Sequence, residues 1–327
     1  GGSDSGVPTT SDKGSICVPP RRRRLYVGKL QEWAKSDETT KSPQPVTVTQ
    51  PQVEDAASTS SQNATHLRDA FIKSAAIETF FAWHRYKKEK EKKKPQGEAG
   101  ALALPQVLES EDEEEKPQSK LETGDIPEEF KRQMFYTLGD YRDILVGDQT
   151  AIGALSEEDK EAMKKIQEKI KDIVEKPNGV TPPTPPGHKS ENPRKTWWDT
   201  NAQHIWKGMV CALTYTDDTN GGPPKQNDTL KSALLDNNNK PKNGNDHDYT
   251  YENVVLKEED TGTEGPKAST ASQHPTTTKL SDFVKIPTFF RWLHEWGNSF
   301  CFERAKRLAQ IKHECKVEEN GDRRRGG

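Results

Sequence analysis

Residues that could do chemistry are scattered along this chain, and none has the spacing of a catalytic or metal-binding motif. The eight histidines contain no H-x-x-x-H or H-E-x-x-H pair, and the cysteines contain no C-x-x-C pair. Gly221 and Gly222 are followed by two prolines and lack the lysine of a phosphate-binding loop. The sequence therefore predicts a protein that is not an enzyme and uses no cofactor and no metal ion.

Disulfide chemistry is the other possibility, since the chain has four cysteines: Cys17, Cys211, Cys301 and Cys315. Cys301 and Cys315 lie on one predicted helix, where a separation of fourteen residues corresponds to about 21 Å at about 1.5 Å per residue. A disulfide needs Cα atoms within about 7 Å of each other. These two cysteines therefore cannot pair, and two of the three possible pairing schemes remain open.

Composition excludes some classes of partner. The 327 residues carry 49 lysines and arginines against 52 acids, a net charge of -3, so no overall positive field attracts nucleic acid or an anionic membrane. A mean hydropathy of -1.03 indicates long solvated loops. No stretch is apolar enough to span a membrane, and the Gly-Gly-Ser start lacks a signal-peptide core, which indicates a piece of a longer protein. Four cysteines alone do not decide between an extracellular and an intracellular location.

Five stretches have apolar residues at helical spacing and predict helices. Their bounds are about 66–94, 125–146, 156–176, 196–213 and 283–315. Asp125 and Thr196 are the predicted N-caps of two of them. Polar stretches between the helices predict disordered loops, and residues 1–15 predict a disordered leader. A short helix at 230–235 and a short strand at 249–255 are also expected. The fold class is therefore mainly α, a helical bundle with long loops.

Large apolar residues on these helices form the predicted core, because buried aromatic side chains supply the most apolar area per residue. The predicted core residues are Phe71, Ile77, Phe81, Trp198, Ile205, Trp206, Met209, Phe289 and Trp296. Tryptophans that stack on a ligand are the alternative interpretation, and helical spacing favours the core.

Basic residues form the candidate contact patch. Its members are Arg21, Arg22, Arg23, Arg24, Arg304, Lys306 and Arg307. Arginine forks pair well with sulfate groups, so a patch of this kind could bind sulfated sugars. A solvated or internally paired run at residues 21–24 is the preferred interpretation.

Four stretches, in one order, carry a resemblance to a known family. They are CVPPRR at 17–22 with LYV at 25–27, FIKSAAIETFF at 71–81, the run from Trp197 and Trp198 through Ile205 and Trp206 to CALTY at 211–215, and FFRWLHEWG at 289–297 with Phe300 and Cys301. Together they resemble the Duffy-binding-like domains of Plasmodium falciparum erythrocyte membrane proteins, the var-gene products, and most of all the beta class. The resemblance extends from Ile16 to Cys315.

The resemblance implies the Duffy-binding-like helical-bundle fold and its division into parts. Residues 16–65 would be a mostly irregular first subdomain with short helices, and residues 66–216 the central helical bundle. Residues 217–280 would be a loop-rich connection, and residues 281–327 the first of the two long antiparallel helices of a third subdomain, truncated here. The resemblance also implies a disulfide between Cys211 and Cys301, with the partners of Cys17 and Cys315 outside this chain.

The function that the resemblance implies is cell adhesion without catalysis. The chain would be the ectodomain fragment of a variant surface antigen on infected erythrocytes, exposed to antibodies and binding a host endothelial receptor. The beta class implies intercellular adhesion molecule as that receptor. Two alternatives stay open: a module that binds heparan sulfate-like glycosaminoglycans through its basic residues, and an intracellular helical scaffold.

Overall fold

The computed structural model describes residues 18–36, 56–92, 116–155, 157–176, 192–218, 221–244, 247–257 and 277–314. The expected leader at 1–15, the cysteines Cys17 and Cys315 and most of the expected loops lie outside these residues.

Eleven helices account for most of the described chain, which confirms the mainly α fold class. They are α1 (Pro20–Arg23), α2 (Gly28–Lys35), α3 (Ala56–Lys92), α4 (Pro117–Glu122), α5 (Glu128–Val146), α6 (Gln149–Gly153), α7 (Glu157–Ile170), α8 (Pro193–Ala212), α9 (Asp228–Leu234), α10 (Leu280–Phe283) and α11 (Thr288–Glu314). A π-helical turn at Lys171–Glu175 continues α7. Helix α3 begins ten residues before the predicted start at His66.

Two short antiparallel ribbons complete the described structure. Strand β1 (Tyr215–Thr216) pairs with β2 (Lys225–Gln226), and β3 (Val255–Lys257) pairs with β4 (Thr277–Lys279), with Leu256 opposite Thr278. The strand expected at 249–255 is wrong for most of its length. Tyr249 is instead buried, where its hydroxyl donates to the carbonyl of Gly124 and accepts from the amide of Ile126. These two hydrogen bonds hold the side chain inside the bundle, and the backbone amide of Tyr249 donates to the carbonyl of Lys242 beside an isolated bridge rather than in a continuous strand.

Two predicted helix starts are wrong by a few residues. Helix α8 begins at Pro193, whose missing N–H costs nothing in the first turn, and the side chain of Asn192 accepts from the amide of Arg194 at 3.0 Å. That cap makes Thr196 an interior residue. Helix α5 follows Pro127 rather than Asp125, and it has no side-chain cap. It ends at Val146 and is followed by Gly147, whose φ of 74° is a left-handed conformation that glycine adopts without strain.

The main core lies between α3, α5 and α8. Five of the nine predicted core residues are buried there: Phe71, Trp198, Ile205, Trp206 and Met209. The ring of Trp206 meets Phe135 of α5 edge-on at 5.9 Å, and its indole N–H donates to the carbonyl of Tyr249 at 2.8 Å. Gly208 allows α8 to approach α3 closely, since a Cβ there would lie 2.8 Å from Ile72.

At its C-terminal end, helix α3 buries a different face from the one that the sequence predicted. Phe81 is 50% exposed and Ile77 is only partly buried, whereas Ala82, Trp83 and Tyr86 are buried. Successive residues of a helix differ by about 100° in direction, so the choice of Ala82 and Trp83 for the inner face leaves Phe81 toward solvent. The assignment of Phe81 to the core is therefore corrected.

Candidate functional site

The outward face of α11 carries a row of large apolar side chains. Phe289, Leu293, Trp296 and Phe300, which we call the aromatic stripe, are 49–52% exposed. Their spacing of four, three and four residues places them on one side of the helix, and the rings of Trp296 and Phe300 stack at 5.2 Å. Phe290, Leu308 and Ile311 are also exposed. Phe289 and Trp296 were predicted in the core, and the structure corrects this because α11 docks through its opposite face.

The inward face of α11 is charged. Arg291 is buried and forms an ion pair with Asp143 of α5. Its guanidinium also donates to the carbonyls of Gly139 and Val284 at 3.3 and 3.2 Å. Gly139 is required by this contact, since a Cβ there would lie 2.8 Å from the Nε of Arg291. A side chain at residue 139 would therefore push α11 away from α5.

Arg21 of α1 makes the second set of charged contacts to α11. Its Nε and Nη2 atoms donate to the two carboxylate oxygens of Glu295 at 2.8 and 2.9 Å. The same Nη2 lies 2.7 Å from Asp140, and Nη1 donates to the hydroxyl of Thr137 at 3.1 Å. Asp140 and Thr137 belong to α5, so one arginine side chain joins three helices.

Asp140 lies at the centre of this arrangement. Besides Arg21, it has the Nε of Arg22 at 3.8 Å and the indole N–H of Trp292 at 3.4 Å. We call Arg21, Arg22 and Arg291 with Asp140, Asp143 and Glu295 the charged joint. Its three cations and three carboxylates give no net charge, which is what burial requires of ionised groups.

Burial raises the pKa of two acids of the charged joint, Asp143 and Glu295. It raises the pKa of Asp143 to about 6, against the opposing effect of the Arg291 charge. It also raises the pKa of Glu295, which the guanidinium of Arg21 opposes in the same way. At these two carboxyl groups the loss of hydration on burial outweighs the stabilisation that the neighbouring guanidinium gives to the charged form. The joint is therefore an electrostatically costly contact that depends on its geometry.

The charged joint changes the interpretation of the basic patch. Arg22 is buried and Arg21 is 12% exposed on its side chain, so these two arginines turn inward and are not part of a contact surface. Arg23 and Arg24 of the same run are exposed, as are Arg304 and Arg307 on the outer half of α11. The side chain of Lys306 lies outside the described residues. The prediction that these seven basic residues form one contact patch is therefore wrong, because Arg21 and Arg22 do not face solvent.

The predicted disulfide between Cys211 and Cys301 is not formed, because both are free thiols. Cys211 is partly buried near the end of α8, and Cys301 is exposed on the outer half of α11. Helix α11 packs on α5 and α6, and this placement points Cys301 to solvent. The expectation that a bond ties α8 to the last helix is therefore wrong for this structure.

One cleft away from α11 uses its polar groups internally. A cleft of about 350 Å³ between the ends of α5, α7 and α8 is lined by Arg194, Gln167 and Glu175. Arg194 donates to Glu175 at 2.5 Å, to Gln167 at 2.6 Å and to the carbonyl of Leu145 at 3.1 Å. Within the described part of the chain, no group of His, Cys, Asp and Glu is placed to hold a metal ion.

Sequence reasoning missed the acids of the charged joint and its partner Arg291. A signal was present, because Arg291 and Glu295 are four residues apart on the side of the helix away from the aromatic stripe. Asp140 and Asp143 likewise interrupt an apolar helix on its inward side. Charged residues at helical spacing opposite an apolar row would have indicated a second, polar contact face.

Comparison with known proteins gives one match. A family model described as the Duffy binding domain matches residues 15–318, a range that contains the core helices, the charged joint and the aromatic stripe. The chain has no match among curated proteins and none among solved structures. In the residues that the structure describes, no helix is long and apolar enough to cross a membrane. Because the family model covers most of its length, the chain belongs to the Duffy binding domain family, a family of receptor-binding adhesion domains.

Proposed function

We propose that this chain is a non-catalytic adhesion domain that binds a host endothelial receptor, with intercellular adhesion molecule as the first candidate. The observation that carries the proposal is the family match over residues 15–318. The resemblance of the chain as a whole to the beta class supports the choice of receptor. In this proposal the domain is part of a variant surface antigen on the infected erythrocyte, where it mediates cytoadhesion and meets antibodies.

The geometry supports a protein receptor over a sulfated glycosaminoglycan. Glycosaminoglycan binding needs several accessible cations close together. Arg21 and Arg22, two of the four arginines in the strongest basic run of the sequence, are instead paired within the charged joint. Their guanidinium groups are therefore not free to bind sulfate while α11 is docked.

An intracellular scaffold has one observation in its favour, the free thiols of Cys211 and Cys301. Membership of an adhesion family weighs against it, because that function requires an extracellular surface. We retain the extracellular location as part of the proposal.

We further propose that the aromatic stripe is covered by a second long helix in the intact protein, so that α11 is the first helix of a two-helix unit. Spacing of four, three and four residues is the pattern with which one helix packs along another. Exposed aromatic rows of this size are unusual on a monomeric surface. Comparison of this chain with a version extended past residue 327 tests the point: the extended chain should protect Trp296 from fluorescence quenching by acrylamide.

Binding to the immobilised ectodomain of intercellular adhesion molecule tests the proposed receptor. We expect saturable binding that falls less between about 0.1 and 0.5 M salt than binding to heparin would, because a protein interface depends less on charge contacts that salt screens. An unrelated endothelial ectodomain is the control. Binding only to another receptor would overturn the choice of receptor. Failure to bind any endothelial protein, together with tight retention on heparin at physiological salt, would overturn the proposal in favour of glycosaminoglycan binding.

A further inference from the structure

We infer that Arg21 is a positioning residue that couples the N-terminal segment to α11 and sets the direction in which the outward face of α11 points. Arg21 lies on α1, and its contacts reach two other helices: Glu295 on α11, and Asp140 and Thr137 on α5. The ring of Tyr136, also on α5, lies 5.7 Å from the guanidinium. The N-terminal segment therefore forms part of the contact between α5 and α11.

Apolar packing contributes little to the position of α11. Among its described side chains, only Thr288, Arg291 and Trp292 are buried. Trp292 packs with Val18 and Ala151 in a small cluster separate from the main core. Apolar contact is not directional, so one tryptophan does not fix the rotation of a helix about its axis. The directional contacts of α11 are polar: the hydrogen bonds and ion pairs of Arg291 and Glu295, the indole N–H that Trp292 donates to Asp140 at 3.4 Å, and the contact of His294 Nδ1 with the hydroxyl of Tyr136 at 2.5 Å.

The contact of Arg21 with Glu295 is of the kind that defines an orientation. Two parallel N–H donors meet two carboxylate oxygens at 2.8 and 2.9 Å, a fork geometry that fails when either partner rotates. A shift of α11 by one residue would turn it by about 100° and take Glu295 away from Arg21. The same rotation would carry Trp296 and Phe300 away from their outward position. The Arg21 contact is therefore linked to the presentation of the aromatic stripe.

Removal of the Arg21 charge should weaken the contact between α11 and α5 and leave the rest of the bundle stable. Without its guanidinium, Glu295 and Asp140 would face each other across the boundary between α11 and α5 with only Arg22 beside Asp140. Like charges in a buried position repel strongly. The main core between α3 and α8 contains none of these groups, so its stability does not depend on them in the same way.

Hydrogen exchange followed by mass spectrometry on the full chain tests this inference without any receptor. In Arg21→Ala we expect the amides of residues 288–300 to exchange at least about tenfold faster, because local opening of the helix becomes easier. Amides of α3 and α8 should change by less than about twofold. Arg21→Lys should restore part of the protection, since lysine keeps the charge and loses the fork. Arg24→Ala, an exposed arginine of the same run, is the matched control and should leave α11 unchanged.

Two results for the single variant Arg21→Ala would overturn the inference. One is unchanged exchange of residues 288–300 in Arg21→Ala, and the other is an equal loss of protection in α3 and α8, which would show a general loss of stability. The milder variant Glu295→Gln checks the same contact from the other side and should raise exchange in the same residues. When it is combined with Arg21→Ala, the increase should not exceed that of Arg21→Ala alone, because both changes remove one contact. Independent, additive increases would contradict the coupling.

Discussion

Helix α8 and helix α11 both pack against the bundle, and they do so by opposite means. Helix α8 buries Trp198, Ile205, Trp206 and Met209 against α3 and α5. Helix α11 turns its aromatic residues to solvent and docks through the charged joint. Apolar burial stabilises in proportion to area and tolerates small shifts. Buried ion pairs are expensive to desolvate and require one geometry. The first contact supplies stability, and the second supplies position.

Breaking one buried ion pair should give the largest effect. Arg291→Met leaves Asp143 without its cation inside the protein, and we expect the free energy of unfolding of the part that contains α5 and α11 to fall by about 4 kcal/mol. Chemical denaturation monitored by circular dichroism measures the change. The double variant Arg291→Met with Asp143→Leu should recover most of the loss, since it removes both charges. A double variant as unstable as the single one would show that the pair contributes net stability.

Ile205→Ala tests the apolar side of the comparison. The side chain is fully buried in α8, so its truncation should leave a cavity and lower the free energy of unfolding by about 3 kcal/mol. No second substitution in the charged joint should rescue this variant. Leu308→Ala, at an exposed position of α11, is the control and should change stability by less than about 0.5 kcal/mol. An unchanged melting temperature for Ile205→Ala would place that residue outside the core.

The charged contact of α11 should also depend on pH, whereas the apolar contact of α8 should not. The pKa of Asp143 is raised to about 6 in the folded protein from an ordinary value of 3.8, and burial raises that of Glu295 in the same direction. The folded state therefore binds protons more tightly, and this stabilisation is complete below about pH 4 and is lost as the pH rises through about 6.

From pH 4.5 to pH 7.5 we expect Asp143 alone to lower the free energy of unfolding by about 1–3 kcal/mol. Denaturation of the parent chain and of Asp143→Asn across this range measures the difference between their slopes. The variant should show the shallower decline, because it has no proton to lose at residue 143. Parallel curves would mean that the carboxyl titrates alike in the folded and unfolded states.

Substitution of the aromatic stripe should have a small effect on stability. Trp296→Ser with Phe300→Ser removes side chains that are about half exposed, so the free energy of unfolding should change by less than about 0.5 kcal/mol. The same change should lower the binding of an apolar fluorescent dye, because it removes exposed apolar surface. A large loss of stability would place these side chains inside the protein.

The thiols provide a test that involves no change in stability. Cys301 is exposed on α11, whereas Cys211 is partly buried on α8 and burial raises its pKa. Alkylation of the native chain without reductant should therefore modify Cys301 first, because the thiolate is the reactive form and needs access. Peptide mapping identifies the modified residue. Recovery of a crosslinked peptide that contains Cys211 and Cys301 would restore the disulfide.

Much of the fold could be predicted because helical periodicity is a local property. The stretches around Phe71, Ile205 and Trp206 combine wide apolar faces with helix-compatible neighbours, and these residues are buried. The acids of the charged joint could not be predicted, since Asp140 and Asp143 look like ordinary polar residues until α1 and α11 are placed beside α5. The proposed division at residues 65, 216 and 280 remains a prediction.

The sequence by itself determined the family, the helical class and the apolar face of α8, because motifs and periodicity depend only on the order of residues. Tertiary structure alone decided which side of α11 and of the end of α3 faces inward. Both helices have more than one apolar direction, as Phe81 and Trp296 show by their exposure. On α11 the inward side is the one whose charged groups find ion-pair partners, and those partners, Asp143 for Arg291 and Arg21 for Glu295, come from segments more than a hundred residues away in the sequence.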